Sequence, residues 1–148
     1  MIFNIIIMIF RHIEYNDYYK DYLALLEQLT IVEKEKIDFI QFESFVNNLS
    51  NKHIIIVIED NNKIIGTGTL LIENKVIHNM GLVGHMEDIV IHNNYRKQGL
   101  GKKIIDELIN ISIQSNCYKI ILDCNEKNVN FYQNSGFKQK EIQMVKYL

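Results

Sequence analysis

A strand pattern that turns through two close glycines straight into a helix pattern limits this chain more than any other feature. His85 to Ile91 reads as a strand, and His92-Asn93-Asn94-Tyr95 as a turn. Arg96-Lys97-Gln98-Gly99-Leu100-Gly101-Lys102 follows. Leu100, Ile104, Ile105, Leu108 and Ile109 then recur at helical spacing. A strand joined so tightly to a helix commits the chain to an α/β architecture, with the helix packed back on a sheet. The glycines let backbone amides approach a ligand closely. The first helical turn adds unpaired N–H groups and the positive end of the helix dipole. Such a junction suits a phosphate, and Arg96, Lys97, Lys102 and Lys103 supply positive charge around it. It is not a Walker A loop, because Gly101-Lys102-Lys103 lacks the Ser or Thr, and it lacks the three spaced glycines of a dinucleotide fingerprint.

The rest of the chain extends the same alternation. An apolar run from Met1 to Phe10 reads as a buried strand, continuing to Tyr15. Asp17 is placed to cap a helix with the apolar face Tyr18, Tyr22, Leu25, Leu26 and Leu29. Ile37, Ile40, Phe45, Val46 and Leu49 mark a second helix. Ile54–Glu59 and Ile64–Ile72 form a hairpin around Asp60-Asn61-Asn62-Lys63, with Gly66 and Gly68 marking a bend or close packing. Lys119–Asp123 is a further strand, Lys127–Asn134 a short helix, and Glu141–Tyr147 a last strand. The predicted order is β-α-α-β-β-β-α-β-α-β, a mixed sheet with helices on its faces in one domain of 148 residues.

Composition narrows the function. Hydrophobic residues are 47% and charged residues 23%, ordinary for a globular domain. The net charge of -2 carries none of the basic excess of a nucleic-acid binder. The apolar N-terminus lacks a basic leader and a small-residue cleavage site, and it is short of the roughly 20 residues a bilayer span needs. Cys117 and Cys124 fit neither a disulfide framework nor a zinc pattern, so a reducing cytoplasm and no metal are expected.

Arg-x-x-Gly-x-Gly after a strand resembles the pyrophosphate-binding motif of GNAT acetyltransferases. The likeness is closer to the eukaryotic glucosamine 6-phosphate N-acetyltransferase family. It rests on Gly84-His85-Met86-Glu87-Asp88-Ile89-Val90, Gln98-Gly99-Leu100-Gly101-Lys102, Asn116 to Cys124, and Glu126-Lys127-Asn128-Val129-x-Phe131-Tyr132-x-x-x-Gly136-Phe137. Thinner matches lie at Glu14 to Tyr18, Leu29-Thr30 and His78-x-x-Gly81-Leu82. The resemblance implies the GNAT fold: a central mixed, mostly antiparallel sheet with helices on both faces.

It also implies roles. Acetyl-CoA is the donor. The main chain of Asp88, Ile89, Val90 and Ile91 pairs with its pantetheine arm, where two central strands splay apart. Amides of Arg96, Lys97, Gln98, Gly99, Leu100, Gly101 and Lys102 hold the pyrophosphate, and Asn128 and Tyr132 line the arm near the sulfur. Tyr132 protonates or hydrogen-bonds the leaving thiolate. Asp123, Glu87 and Asp88 hold the acceptor amine, and Asp123 helps to take its proton. Glu87 and Asp88 are consecutive and should face opposite sides of their strand. Thr30, Lys75, His78, Tyr118 and Lys119 bind the sugar phosphate. The family has a C-terminal arginine that reaches the partner subunit's substrate phosphate. This tail has none, and Lys146 stands in as a point charge rather than a fork. The implied reaction is direct acetyl transfer in a ternary complex to the 2-amino group of D-glucosamine 6-phosphate, a step toward UDP-N-acetylglucosamine. A backbone N–H near Ile89 faces the developing oxyanion. The implied assembly is a homodimer with the sugar site near the interface.

Two other readings use the same fold. One is a GNAT enzyme for a polyamine, an antibiotic or a protein N-terminus, against which Thr30, His78 and Cys117-Tyr118-Lys119 argue. The other is a non-catalytic CoA-binding module, against which Glu87, Asp123 and Tyr132 argue.

Overall fold

The computed structural model describes residues 7–148. One five-stranded sheet runs in the order β1-β2-β3-β4-β5: β1 (Ile9–His12), β2 (His53–Asp60), β3 (Lys63–Asn74), β4 (Leu82–Ile91) and β5 (Cys117–Ile121). β1 to β4 pair antiparallel, and β5 runs parallel to β4. The β2–β3 hairpin turns on Asn61 and Asn62 at φ of 47° and 62°, with Asp60 paired to Lys63. A short polar side chain tolerates this left-handed backbone better than a bulky one does.

The helices are α1 (Tyr22–Leu26), α2 (Phe39–Asn47), the single turn α3 (Ile77–Met80), α4 (Leu100–Gln114) and α5 (Val129–Gln133). They cover both faces, as the resemblance implies. Period-two alternation in β2 divides the core: Ile54, Ile56 and Ile58 face one way, Ile55 and Val57 the other. On the first face Leu100, Ile104, Ile105 and Leu108 of α4 are buried, each contributing roughly 1.5–3 kcal/mol. A Cβ at residue 68 would lie 2.6 Å from Ile104 Cγ2, so Gly68 lets α4 seat on the sheet. That is the close packing expected of the β3 glycines. On the second face Tyr22, Leu23 and Leu25 of α1 and Phe42 of α2 cover Ile55, Val57, Ile64 and Val90.

Several expectations need correction. The N-terminal run was expected to be a buried strand, and its residues 1–6 lie outside the described residues. Its described end belongs to the edge strand β1, where Ile9 and Phe10 stay exposed because β1 pairs on one side only. Asp17 is not the helix cap. It lies inside a 3-10 turn (Tyr15–Tyr19), is fully buried, and accepts from both Arg11 Nη atoms at 2.9 and 2.6 Å. Its Oδ2 also accepts the Glu14 backbone amide at 2.8 Å, so it closes a capping box at the third position of the turn while the guanidinium balances its buried charge. The strand expected over Lys119–Asp123 runs Cys117–Ile121, which leaves Asp123 just past its end. The helix expected over Lys127–Asn134 divides into a 3-10 turn (Glu126–Asn128) and α5. Glu141–Tyr147 forms no strand: it pairs with no strand among the described residues, and Ile142, Met144 and Tyr147 are exposed.

Candidate active site

The site begins where β4 and β5 part. Their pairing ends at His85 opposite Ile121, while β4 continues to Ile91. From Met86 onward, the edge of β4 that faced β5 has no strand partner, so its N–H and C=O groups are open to an extended ligand. Asp88, Ile89, Val90 and Ile91 lie along this edge.

A bulge shapes the same segment. Thr67 pairs with Val90 and Thr69 with Glu87, so Asp88 and Ile89 together stand opposite Gly68. Asp88 takes φ 51°, a left-handed conformation held by a non-glycine residue. The regular alternation that would send Glu87 and Asp88 to opposite faces does not hold across this bulge. Glu87 is half-buried. Burial pushes its carboxyl above the usual carboxylate range, and the charges of Asp88 and Asp123 push it the same way. Three acids thus share one region, and no ion pair reaches any of them among the described residues.

The glycine junction follows β4. A 3-10 turn (Asn93–Tyr95) is held from three sides. The Tyr95 hydroxyl donates to Asp60 at 2.7 Å, the Asn93 amide donates to Gln28 Oε1 at 2.8 Å, and Arg96 Nε donates to the Ile91 carbonyl at 2.9 Å. Lys97 and Gly99 take φ of 62° and 78°. Nothing lies within 4 Å of where a Gly99 Cβ would stand, so the cradle at the start of α4 is open. A Cβ on Gly101 would sit 3.1 Å from Phe131 Cζ, and Leu100 is buried in the core. These positions therefore offer backbone amides. Lys102 is engaged by Asp106 at 2.6 Å.

Tyr132 lies between Phe131 and Phe137, with ring centroids 5.1 and 6.1 Å away, both edge-on. Burial pushes its phenol above the usual range, and Cys124 adds to this. It therefore carries its proton at neutral pH. Asn128 is exposed at the end of the preceding 3-10 turn. Asp123 is exposed and accepts from Gln143 Nε2 at 2.7 Å.

The expected phosphate ligands form two groups. The His78 ring packs against Tyr118 with centroids 4.4 Å apart and planes tilted by 34°, in a turn where His78, Asn79 and Met80 all have positive φ. Lys119 lies beside Tyr118 on the exposed face of β5. Lys75 is bound by Glu73 at 2.6 Å, and Glu73 also holds His85 at 2.8 Å. Thr30 in the loop after α1 and Lys146 in the tail share no side-chain hydrogen bond or ion pair with the other candidates among the described residues.

A profile of the Acetyltransferase (GNAT) family matches residues 11–137. The chain is 45% identical over 141 residues to glucosamine 6-phosphate N-acetyltransferase 1 of Dictyostelium discoideum, covering 94% of this chain and 90% of that one. It is 39% identical over 142 residues to the Arabidopsis thaliana glucosamine 6-phosphate N-acetyltransferase, covering 93% and 94%. The chain belongs to the glucosamine 6-phosphate N-acetyltransferase family of GNAT enzymes. The crystal structure of the Arabidopsis thaliana family member superposes with a TM-score of 0.91 at 36% identity, covering 95% of this chain and 98% of that one.

GNAT acetyltransferases use acetyl-CoA, and the residues present fit it. The open β4 edge, the uncluttered Gly99 and the free amides that open α4 follow one another along the chain and offer main-chain groups to an extended, phosphate-bearing ligand. Sequence reasoning missed Gln28, Glu73 and Gln143. Glu73 had a signal, since it lies two residues before Lys75, but Gln28 and Gln143 act over 65 and 20 residues and left none.

Proposed function

We propose that this chain, as one domain, transfers an acetyl group from acetyl-CoA to the 2-amino group of D-glucosamine 6-phosphate. The products are CoA and N-acetyl-D-glucosamine 6-phosphate, on the route to UDP-N-acetylglucosamine. The observation that carries the reading is the half-buried Glu87 with its raised carboxyl pKa, beside Asp88 and Asp123 at the open edge of β4. Acidic groups left without cations suit a cationic acceptor.

Acetyl-CoA supplies the acetyl group. The chain's own residues orient it and manage the protons. Main-chain groups of Asp88 to Ile91 hold the pantetheine arm as an added strand would be held. Amides of Arg96 to Lys102 and the α4 dipole hold the pyrophosphate. Glu87, Asp88 and Asp123 bind the ammonium, and Glu87 or Asp123 takes its proton, directly or through water. A carboxyl poised above its usual range is the better base. Tyr132, protonated at neutral pH, gives a hydrogen bond or proton to the leaving sulfur. An amide near Ile89 faces the developing oxyanion. Thr30, Lys75, His78, Tyr118, Lys119 and Lys146 meet the sugar phosphate.

The working unit is a homodimer in the cytoplasm. Support for the dimer comes from the tail, where Ile142, Met144, Val145 and Tyr147 are exposed and no strand among the described residues pairs with them. A second copy would cover them and bring Lys146 to the partner's sugar site. Among the described residues no helix is long and apolar enough to cross a membrane.

The test is product analysis. Purified protein with acetyl-CoA and glucosamine 6-phosphate should yield N-acetylglucosamine 6-phosphate by mass spectrometry. No product, with acetyl-CoA still bound in calorimetry, would replace this reading with that of a CoA-binding module.

A further inference from the structure

Among the described residues Asp123 has one hydrogen-bond partner, and it is neutral. Gln143 Nε2 donates to Asp123 Oδ2 at 2.7 Å, reaching from the tail to the loop after β5. No other hydrogen bond or ion pair to the Asp123 side chain occurs among the described residues. The choice of partner matters. Several other carboxylates take cations: Asp17 and Glu59 take Arg11 and Lys20, Glu73 takes Lys75, and Asp106 takes Lys102, whereas the buried Asp60, like Asp123, takes neutral donors, the Tyr95 hydroxyl and the Asn61 amide. A cation beside an acid stabilises the carboxylate and weakens it as a base. An amide fixes one oxygen with a modest hydrogen bond and leaves the full negative charge in place. The second oxygen has no hydrogen bond among the described residues, and Asp123 lies close enough to Glu87 for its charge to raise the Glu87 carboxyl.

We propose that Gln143 is a positioning residue for Asp123: it holds one carboxylate oxygen and leaves the other free for the acceptor amine. This rests on the acetyl transfer proposed above. It gives the tail a second task. The segment that carries Lys146 also aligns the acid, so an undocked tail disarms Asp123 as well as loosening the phosphate.

The geometry makes distinct demands on three variants. Gln143→Ala frees Asp123 to rotate. It should lower kcat about tenfold, with KM for acetyl-CoA unchanged, because a hydrogen bond to a charged group is worth about that factor. Gln143→Glu puts a second carboxylate against Asp123, and the acid limb of kcat/KM should move to higher pH. Gln143→Asn keeps the amide on a shorter arm and should recover part of the lost kcat.

The experiment measures kcat, KM for both substrates and the pH–rate profile for wild type and the three variants, with thermal melts confirming folding. A kcat loss in Gln143→Ala, partial rescue in Gln143→Asn and a displaced acid limb in Gln143→Glu support the proposal. An unchanged kcat in Gln143→Ala would overturn it, as would an unmoved acid limb in Gln143→Glu. Equal losses in all three with lowered melting would also overturn it, since the contact would then be structural. A wild type inactive on glucosamine 6-phosphate refutes the acetyl-transfer reading instead, so the two failures are distinguishable.

Discussion

The chain holds two clusters of carboxylates, and they are treated in opposite ways. Near β1, Asp17 and Glu59 meet Arg11 and Lys20, with Arg11 bridging both acids and Lys20 at 2.9 Å from Glu59. These cations hold the Glu59 carboxyl below its usual range, and the acids raise the Arg11 pKa in turn. At the β4 bulge no ion pair reaches Glu87, Asp88 or Asp123 among the described residues, and burial with the neighbouring acids moves Glu87 above its usual range, against a smaller opposing effect of His85. One side chain type thus does two jobs. The first cluster fastens β1, β2 and the 3-10 turn together. The second leaves its charge available at a cost in stability, as binding and catalytic sites often do.

Neutralising an acid should therefore have opposite consequences in the two places. Glu87→Gln removes a base and should cut kcat by about 10³-fold, within the range for general acid–base groups. Its melting temperature at neutral pH should equal or exceed that of wild type. A raised folded-state pKa means that Glu87 opposes folding once the pH passes its ordinary value, and glutamine relieves this. A lowered melting temperature would show that Glu87 is structural.

Arg11→Ala attacks the other cluster. It leaves the fully buried Asp17 without its guanidinium and should cost about 3 kcal/mol in chemical denaturation. The kcat of the folded fraction should be unchanged. A loss under 1 kcal/mol would mean that Lys20, 3.9 Å from Asp17, replaces the guanidinium.

Tyr132→Phe keeps the packing against Phe131 and Phe137 and removes only the hydroxyl. It should lower kcat by about 10²-fold with little change in KM for acetyl-CoA. A raised KM with normal kcat would make the ring a binding wall and not a proton donor.

The smallest contrast is in pH. Glu59, with its lowered folded-state pKa, contributes stability that is present above about 4.3 and lost as the pH falls through the lowered value. Glu87 must be ionised to act, so kcat/KM should fall while the pH is still above the ordinary carboxylate range. Activity should fail at a higher pH than the fold does. Coincident midpoints in activity and circular dichroism would erase the distinction.

These contrasts also mark what the sequence made legible. The junction from β4 to α4 was readable because two glycines and a 3.6-residue apolar period fall together there. The two-faced core was readable from the alternating Ile and Val of β2. The bulge was not, because Asp88 adopts positive φ without a glycine to announce it. Asp17 read as a cap because capping is a local pattern, whereas its ion pair with Arg11 depends on strand placement. The tail read as a strand from its apolar residues, but a strand also needs a pairing partner, and among the described residues the tail pairs with none. The site acids were identified through family resemblance, and only the fold shows that no ion pair reaches them among the described residues.

The central claim is that these unpaired acids serve the amine of a sugar phosphate. The most direct measurement compares CoA release from acetyl-CoA with glucosamine 6-phosphate, unphosphorylated glucosamine and a polyamine under one set of conditions. The account predicts release with glucosamine 6-phosphate far above the other two, because the amine and the phosphate are both bound. Equal or faster release with the polyamine, or none with glucosamine 6-phosphate, would contradict it.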